Sequence, residues 1–214
     1  MKSLFWKEWR ESRVNLLVSV SIVAVLLLVI QFFDGVPGAI FVPYATLILA
    51  GLFGAWSFSN EKGTLEFLLS VPVARKTIFW DKWLIGVLNI VVIFIATFAM
   101  ELLIYYSDIF INHLWGGSSH SLSPGYRTLL LFLSGAFIIY NAAFLMSIIV
   151  ADTLIAFLVG ILSIFSLSTI VYGILILFHL KSMPHWFSVV YELTLFLGLL
   201  FIAYRIFSRK EVKA

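Results

Sequence analysis

Two carboxylates within apolar stretches are the side chains of this sequence best placed to act on a solute. Glu101 and Glu192 each lie in a segment that is otherwise almost free of charge. A charge at the centre of a bilayer costs about 2.5–3.5 kcal/mol on insertion scales, so each such group needs a physical account. The interpretation that the sequence favours is structural: they reach outer headgroups or pair with Arg127 and Lys181. The alternative is an acidic lining at an outer mouth, suited to a cationic substrate.

Other residue types offer little chemistry. The chain has no cysteine, which excludes disulfides, thiolate metal ligands and cysteine nucleophiles. No HExxH, GxSxG or GxxxxGK[ST] motif occurs. His113 and His120 could share a metal, but without zinc-like spacing the four histidines are expected in solvated outer connections. We therefore expect no enzyme activity, no catalytic residue, no metal and no bound cofactor. The histidines are His113, His120, His179 and His185.

The composition predicts an all-α integral membrane protein. Of the 214 residues 62% are hydrophobic and 12% are charged, with a mean hydropathy of +1.09. Soluble domains are about half apolar and a quarter charged, so this chain has too little polar surface for a water-facing globule. Since a helical crossing needs about 20 residues, we expect six transmembrane helices in a single domain. The predicted spans are Val14–Phe33, Ala39–Phe58, Leu84–Tyr105, Thr128–Val150, Thr153–Phe178 and Phe187–Tyr204.

The positions of lysine and arginine predict the orientation of these spans. Of 14 basic residues, 12 fall in the amino-terminal segment 1–13, the connection 59–83 or the tail 205–214. Cytoplasmic segments are enriched in Lys and Arg, so both termini and the 59–83 loop are predicted to be cytoplasmic. An even number of crossings requires the same arrangement. We expect a multi-pass protein of a plasma membrane with no nucleic-acid partner.

The amino-terminal segment 1–13 is predicted to form an amphipathic helix. In helical projection Phe5, Trp6 and Trp9 share one face, and charged residues occupy the other. Such a helix lies in the plane of the membrane interface. The alternative is an ordinary anchor beside the first span, because Trp and Lys flank many spans.

The loop between the second and third spans carries a second short amphipathic helix. Leu65, Leu68 and Leu69 recur at helical spacing, and Pro72 ends the helix. A further helical turn is expected to restart near Ala74 and to continue through Lys82 into the third span. The leucine edge predicts a docking surface for another protein. The alternative is that these leucines dip into the headgroup layer.

This loop resembles the cytoplasmic coupling region of ABC-2 type transporter permeases. In that family the loop commonly reads Glu, a short gap, Gly-Thr, an acidic residue, Leu-Leu-Ser, a Pro-Val turn, Arg and a later Lys. The segment 1–13 also resembles the family's elbow helix, and six spans with cytoplasmic ends agree with its topology. The matching loop positions are Glu61, Gly63, Thr64, Glu66, Leu68, Leu69, Ser70, Pro72, Val73, Arg75 and Lys82.

The resemblance implies the partners and the energy source. Two copies of an ABC ATP-binding subunit would hold ATP and Mg, and a second permease subunit, identical or related, would complete the pathway. The leucines at 65, 68 and 69 would fill a groove on the ATPase, and Glu61, Glu66 and Arg75 would set orientation at its rim. The resemblance also implies a bacterial-type plasma membrane. The chain departs from the family in its short connection Lys181–Trp186, where re-entrant helices are common.

The remaining polar residues of the spans are predicted to be structural. Asn89 and Asn141 are expected to form hydrogen bonds between helices, and Asp152 is expected to cap the helix that begins at Thr153. The expected function is that of a permease subunit of an ATP-driven exporter. An intramembrane enzyme, or a non-transporting scaffold or immunity factor, remains the alternative.

Overall fold

Six helices make up the described part of the chain. The computed structural model describes residues 2–32, 38–59, 74–115, 126–150, 152–177 and 185–209. Every element in these ranges is helical, as the composition predicted. The helices are α1 (Lys2–Phe32), α2 (Gly38–Ser59), α3 (Arg75–Trp115), α4 (Tyr126–Ile149), α5 (Thr153–Leu177) and α6 (His185–Arg209).

Three of these helices are long and apolar enough to cross a membrane. The candidate spans are Arg75–Ala96 in α3, Thr153–Ile170 in α5 and Val189–Arg209 in α6. Shorter apolar segments occur in the other helices, at Ser12–Ile22, Thr46–Phe58 and Leu133–Ile149. These lengths and compositions indicate a membrane protein. Six crossings remain a prediction.

Helix α4 lies at the centre of the bundle. It packs most extensively against α2, and it also contacts α5 and α6, while α3 packs against α1 and α2. Ala136, Tyr140, Ala143 and Phe144 on α4 are all fully enclosed. Lipid tails are as apolar as leucine, so the hydrophobic effect does not drive such helices together, and close packing has to hold them.

Small residues at the contacts of α4 permit this packing. A Cβ atom built on Gly54 of α2 would lie 2.4 Å from the carbonyl oxygen of Tyr140. A Cβ atom on Gly160 of α5 would lie 2.8 Å from the Cα atom of Ala143. Both distances are too short for any larger residue, so glycine sets the separation of these helices.

Two predicted helix starts are confirmed. The Asp152 carboxylate Oδ1 accepts hydrogen bonds from the backbone N–H groups of Leu154 and Ile155, at 2.9 and 3.1 Å. This is an N-cap that satisfies donors at the start of α5. Helix α3 begins at Arg75 and continues without interruption through Lys82 into the third predicted span.

Helix α3 is longer than the sequence predicted. It runs past Tyr105 to Trp115, so His113 lies in a helix and not in an irregular connection. At 1.5 Å per residue its 41 residues measure about 60 Å, twice the thickness of a hydrocarbon core. Helix α6 similarly extends to Arg209 and includes the first residues of the predicted tail.

The amino-terminal region is one helix. Helix α1 runs from Lys2 to Phe32 and so includes both the amphipathic segment and nearly all of the first predicted span. The structure therefore does not separate an elbow helix from that span. The elbow helix and its in-plane orientation remain predictions.

Candidate functional site

The predicted docking loop lies largely outside the described residues. The positions concerned are Glu61, Gly63, Thr64, Leu65, Glu66, Leu68, Leu69 and Pro72. Arg75 is the one member of the docking set that the structure describes. Its guanidinium Nη1 donates a hydrogen bond to the backbone carbonyl of Ser208, 3.5 Å away, near the end of α6. The start of α3 and the end of α6 are therefore at the same end of the bundle.

Aromatic rings fix the two helix ends that border this loop. Phe58, next to last in α2, and Phe79 of α3 both pack on Phe144 of α4, with ring centroids 5.2 and 5.4 Å apart. Phe207 of α6 contacts Phe58 at 5.1 Å and Phe79 at 5.7 Å. We call these four residues the aromatic cluster. Each such ring pair contributes about 0.5–1.5 kcal/mol beyond the area it buries.

Lys82 lies beside the aromatic cluster and not in solvent. Its side chain is only 6% exposed, and its ammonium lies 5.4 Å from the ring centroid of Phe58. A desolvated cation–π contact of this kind is worth about 2 kcal/mol. In the sequence analysis Lys82 is one of the basic residues of the connection 59–83, and nothing there indicates that it is buried.

A polar clamp joins α3 to α4 one turn further along. The indole Nε1 of Trp83 donates to Oδ1 of Asn141 at 2.9 Å. The hydroxyl of Tyr140 donates to the backbone carbonyl of Trp83 at 3.1 Å. A Cβ atom on Gly86 would collide with the Tyr140 ring, so glycine at this position admits the tyrosine. The predicted interhelical role of Asn141 is confirmed.

Asn89 joins α3 to α1. Its Nδ2 atom donates a hydrogen bond to the hydroxyl of Ser12. Asn89 is only 2% exposed, and its predicted role as an interhelical hydrogen-bond partner is also confirmed. The bond places Ser12 of α1 near the start of the third predicted span.

The other predicted site residues are only partly placed. Glu192 is half-buried on α6, while Glu101 is well inside α3, with its side chain outside the described set. Of the interface residues, Trp6 is 63% exposed and Trp9 is half-buried. The backbone of Phe5 is helical, but its side chain also lies outside the described set. The predicted roles of these five residues, at the outer mouth and at the membrane interface, stay predictions.

Metal-binding groups show no clustering in the part of the chain that is described. Among those residues no group of three or more His, Asp or Glu side chains could hold an ion.

The start of α3 is held by contacts with three other helices. The first three turns of α3 contact α2 through Lys82, and they contact α4 and α6 through ring pairs and a hydrogen bond. Packed interiors transmit displacement and deform little, so a push on the start of α3 would move these helices together. Sequence reasoning missed the aromatic cluster. Its available signal was the phenylalanine on each side of the loop, Phe58 and Phe79.

Comparison of the chain with protein families, with curated proteins and with solved structures finds no match.

Proposed function

We propose that the chain is the membrane-spanning permease subunit of an ATP-driven, ABC-2 type exporter. Its energy comes from ATP hydrolysed by a separate ABC ATP-binding subunit, which docks on the loop after the second span. Two ATPase copies and a second permease subunit, identical or related, complete the transporter. All six apolar stretches cross a bacterial-type plasma membrane, and both termini are cytoplasmic.

One structural observation carries the proposal furthest. The helix ends on either side of the docking loop meet in the aromatic cluster, through the contacts of Phe58 and Phe79 with Phe144. A loop that only dips among headgroups has no need of ends held this firmly. A loop that receives force from a partner needs firmly held ends, because the force has to reach the spans. The eleven loop positions that resemble the ABC-2 family give independent support.

The proposed mechanism is a rigid-body switch. Leu65, Leu68 and Leu69 fill a groove on the ATPase, and the charges of Glu61 and Glu66 set its orientation. ATP-driven closure of the ATPase dimer draws the two loops together. Helix α3 carries that displacement through the aromatic cluster to the spans, and a path opens between the permease subunits.

The amino-terminal segment has a supporting role in this proposal. The exposed Trp6 and the half-buried Trp9 anchor α1 at the cytoplasmic interface. Glu101 and Glu192 lie toward the outer side, where they line the mouth or pair with outer basic residues.

Co-purification tests the docking step. The double variant Leu68→Asp/Leu69→Asp puts two charges on the apolar edge of the loop and should abolish recovery of an ABC ATP-binding subunit co-expressed from a neighbouring gene. The charge-matched control is Arg10→Gln/Arg13→Gln, which changes two exposed residues of α1. The control should recover the ATPase at the wild-type level, and both variants should remain in the membrane. Recovery of the complex with the loop variant would refute the docking assignment.

The same preparation separates the alternatives. A scaffold, an immunity factor or an intramembrane enzyme has no use for an ATPase on this loop. No complex with wild-type chain, together with no stimulation of ATP hydrolysis, would favour those functions.

A further inference from the structure

The ends of α3 and α6 that lie together each carry an exposed face beside their contact, and we call this pair of faces the groove. Trp80 of α3 stacks on Tyr204 of α6 with ring centroids 6.4 Å apart, and Trp83 contacts Phe196 at the same separation. Together with the hydrogen bond from Arg75 to Ser208, these contacts align about three turns of the two antiparallel helices. The groove runs along the exterior of the bundle beside this contact.

The α3 wall of the groove changes from basic to apolar along its length. Lys76, Trp80 and Leu84 follow one another at intervals of four residues, so they share one face of the helix. All three are exposed, Trp80 by 38% and Leu84 by 44%. This face adjoins the one that carries Trp83, which contacts α6. Asp81 lies about 100° around the helix from Trp80, on the side away from Trp83.

The α6 wall has the same order of residue types. From the helix end inward it presents Arg209, Arg205, Phe201 and Leu197, again at intervals of four and again exposed. The guanidinium of Arg205 lies over the ring of Phe201, with its Cζ atom 5.5 Å from the centroid. In helical projection Phe201 and Leu197 lie on the edge next to Tyr204, which contacts α3.

Both walls therefore pass from cation to aromatic ring to aliphatic side chain in the same direction. An anionic phospholipid has the matching order: a phosphate, a glycerol ester region and an acyl chain. We propose that this groove, lined by Lys76, Trp80, Leu84, Leu197, Phe201 and Arg205, binds an anionic phospholipid. The basic residues bind the phosphate, the rings lie beside the ester region, and the aliphatic residues contact one acyl chain.

The apolar part of each wall selects a lipid over the other anionic occupants. An acidic protein surface would pair with Lys76, Arg205 and Arg209, but it would leave Leu197 and Phe201, both more than half exposed, without a partner. A free phosphate would pair with the same basic residues and would also leave Leu197 and Phe201 without a partner. The aromatic residues lie between the charges and the aliphatic residues, which is where Trp and Tyr prefer to sit at a membrane interface.

Native mass spectrometry of the purified chain in detergent tests this site without any ATPase. Wild-type chain should retain phosphatidylglycerol in preference to phosphatidylcholine. The variant Lys76→Gln/Arg205→Gln should bind phosphatidylglycerol about 30-fold more weakly, at about 1 kcal/mol for each basic residue near the surface. The control Arg10→Gln/Arg13→Gln removes the same charge elsewhere and should keep wild-type binding.

Two further measurements distinguish lipid binding in the groove from misfolding and from simple anion binding. Lys76→Arg/Arg205→Lys preserves the charge and should restore binding, which a merely misfolded groove would not do. Glycerol phosphate has the headgroup charge without acyl chains and should not displace the lipid. Equal loss in the α1 control, or displacement by glycerol phosphate, would overturn the assignment. Unchanged lipid binding in Lys76→Gln/Arg205→Gln would also overturn the assignment. If that variant lost a co-expressed ATPase instead, the occupant of the groove would be a protein.

Discussion

Helices α4 and α5 have similarly apolar sequences and opposite surroundings. On α4 nine of the thirteen residues from Ala136 to Ile148 are buried, and the other four are half-buried. On α5 only 11% of the span Thr153–Ile170 is buried, and Leu154 and Phe165 are more than 60% exposed. Both helices are apolar, so apolarity does not decide which one forms the core.

Small and polar residues make that distinction. Helix α4 contributes Ala143 at the contact with Gly160, and Asn141 as the acceptor for Trp83. On α5 the hydroxyl groups of Ser163 and Thr169 instead donate to carbonyl groups of their own helix, those of Gly160 at 2.7 Å and Phe165 at 2.8 Å. Where lipid competes equally for every leucine, close approach and interhelical hydrogen bonds specify the partner.

The largest predicted difference comes from one substitution made on both helices. Phe144 is fully buried and its ring contacts those of Phe58, Phe79 and Tyr140. Phe144→Ala should lower the free energy of unfolding by about 3–5 kcal/mol, because it leaves a cavity. Phe165→Ala, on the exposed face of α5, should change it by less than about 0.5 kcal/mol. Denaturant unfolding in detergent measures both, and equal losses would mean that α4 is not the core.

A smaller effect is expected from added volume. Gly54→Val places a side chain against the backbone of Tyr140 on α4, which cannot move aside alone. Overpacking of this kind costs about 1–3 kcal/mol, and the backbone contact puts it at the upper end. Gly198→Val on α6 is the matched control, because a Cβ atom there has nothing within 4 Å. In thermal unfolding, Gly54→Val should have a clearly lower unfolding temperature than Gly198→Val. A Gly198→Val loss as large as that of Gly54→Val would contradict the packing described.

The smallest predicted effect concerns one hydrogen bond. Asn141→Leu removes the acceptor of the Trp83 indole and should cost about 0.6 kcal/mol and at most about 1.7 kcal/mol, the average and the maximum measured for interhelical bonds in membranes. Thr169→Val removes a hydroxyl that donates to its own helix and should cost less. Unfolding by titration with a denaturing detergent resolves differences of this size. If Asn141→Leu left the free energy of unfolding unchanged, the clamp would not hold α3.

Much of the fold followed from the sequence because its signals are local. Asp152 capped the next helix, Asn89 and Asn141 bonded to other helices, and α3 restarted beside Ala74 as the spacing indicated. Each of these predictions needed only the residue type and its position in an apolar run.

The predictions that failed or were missing needed tertiary contacts. Lys82 looks like a solvated loop lysine until Phe58 and the end of α2 come beside it. The third predicted span ends at Tyr105, while helix α3 continues to Trp115, because a helix does not require an apolar sequence throughout. The central position of α4 could not be predicted either. Lipid tails are as apolar as the six apolar runs, so apolarity does not indicate which run the other helices surround.

Stimulated ATP hydrolysis is the most direct test of the account, because it joins the loop to the packed core. Proteoliposomes containing the chain and its ABC ATP-binding subunit should hydrolyse ATP faster than the ATP-binding subunit alone. Leu68→Asp/Leu69→Asp should return the rate to that of the subunit alone, and Arg10→Gln/Arg13→Gln should not change the stimulated rate. A rate that the wild-type chain does not raise, or one that the loop variant raises as much as wild type, would contradict the proposal that this loop receives the force of ATP hydrolysis.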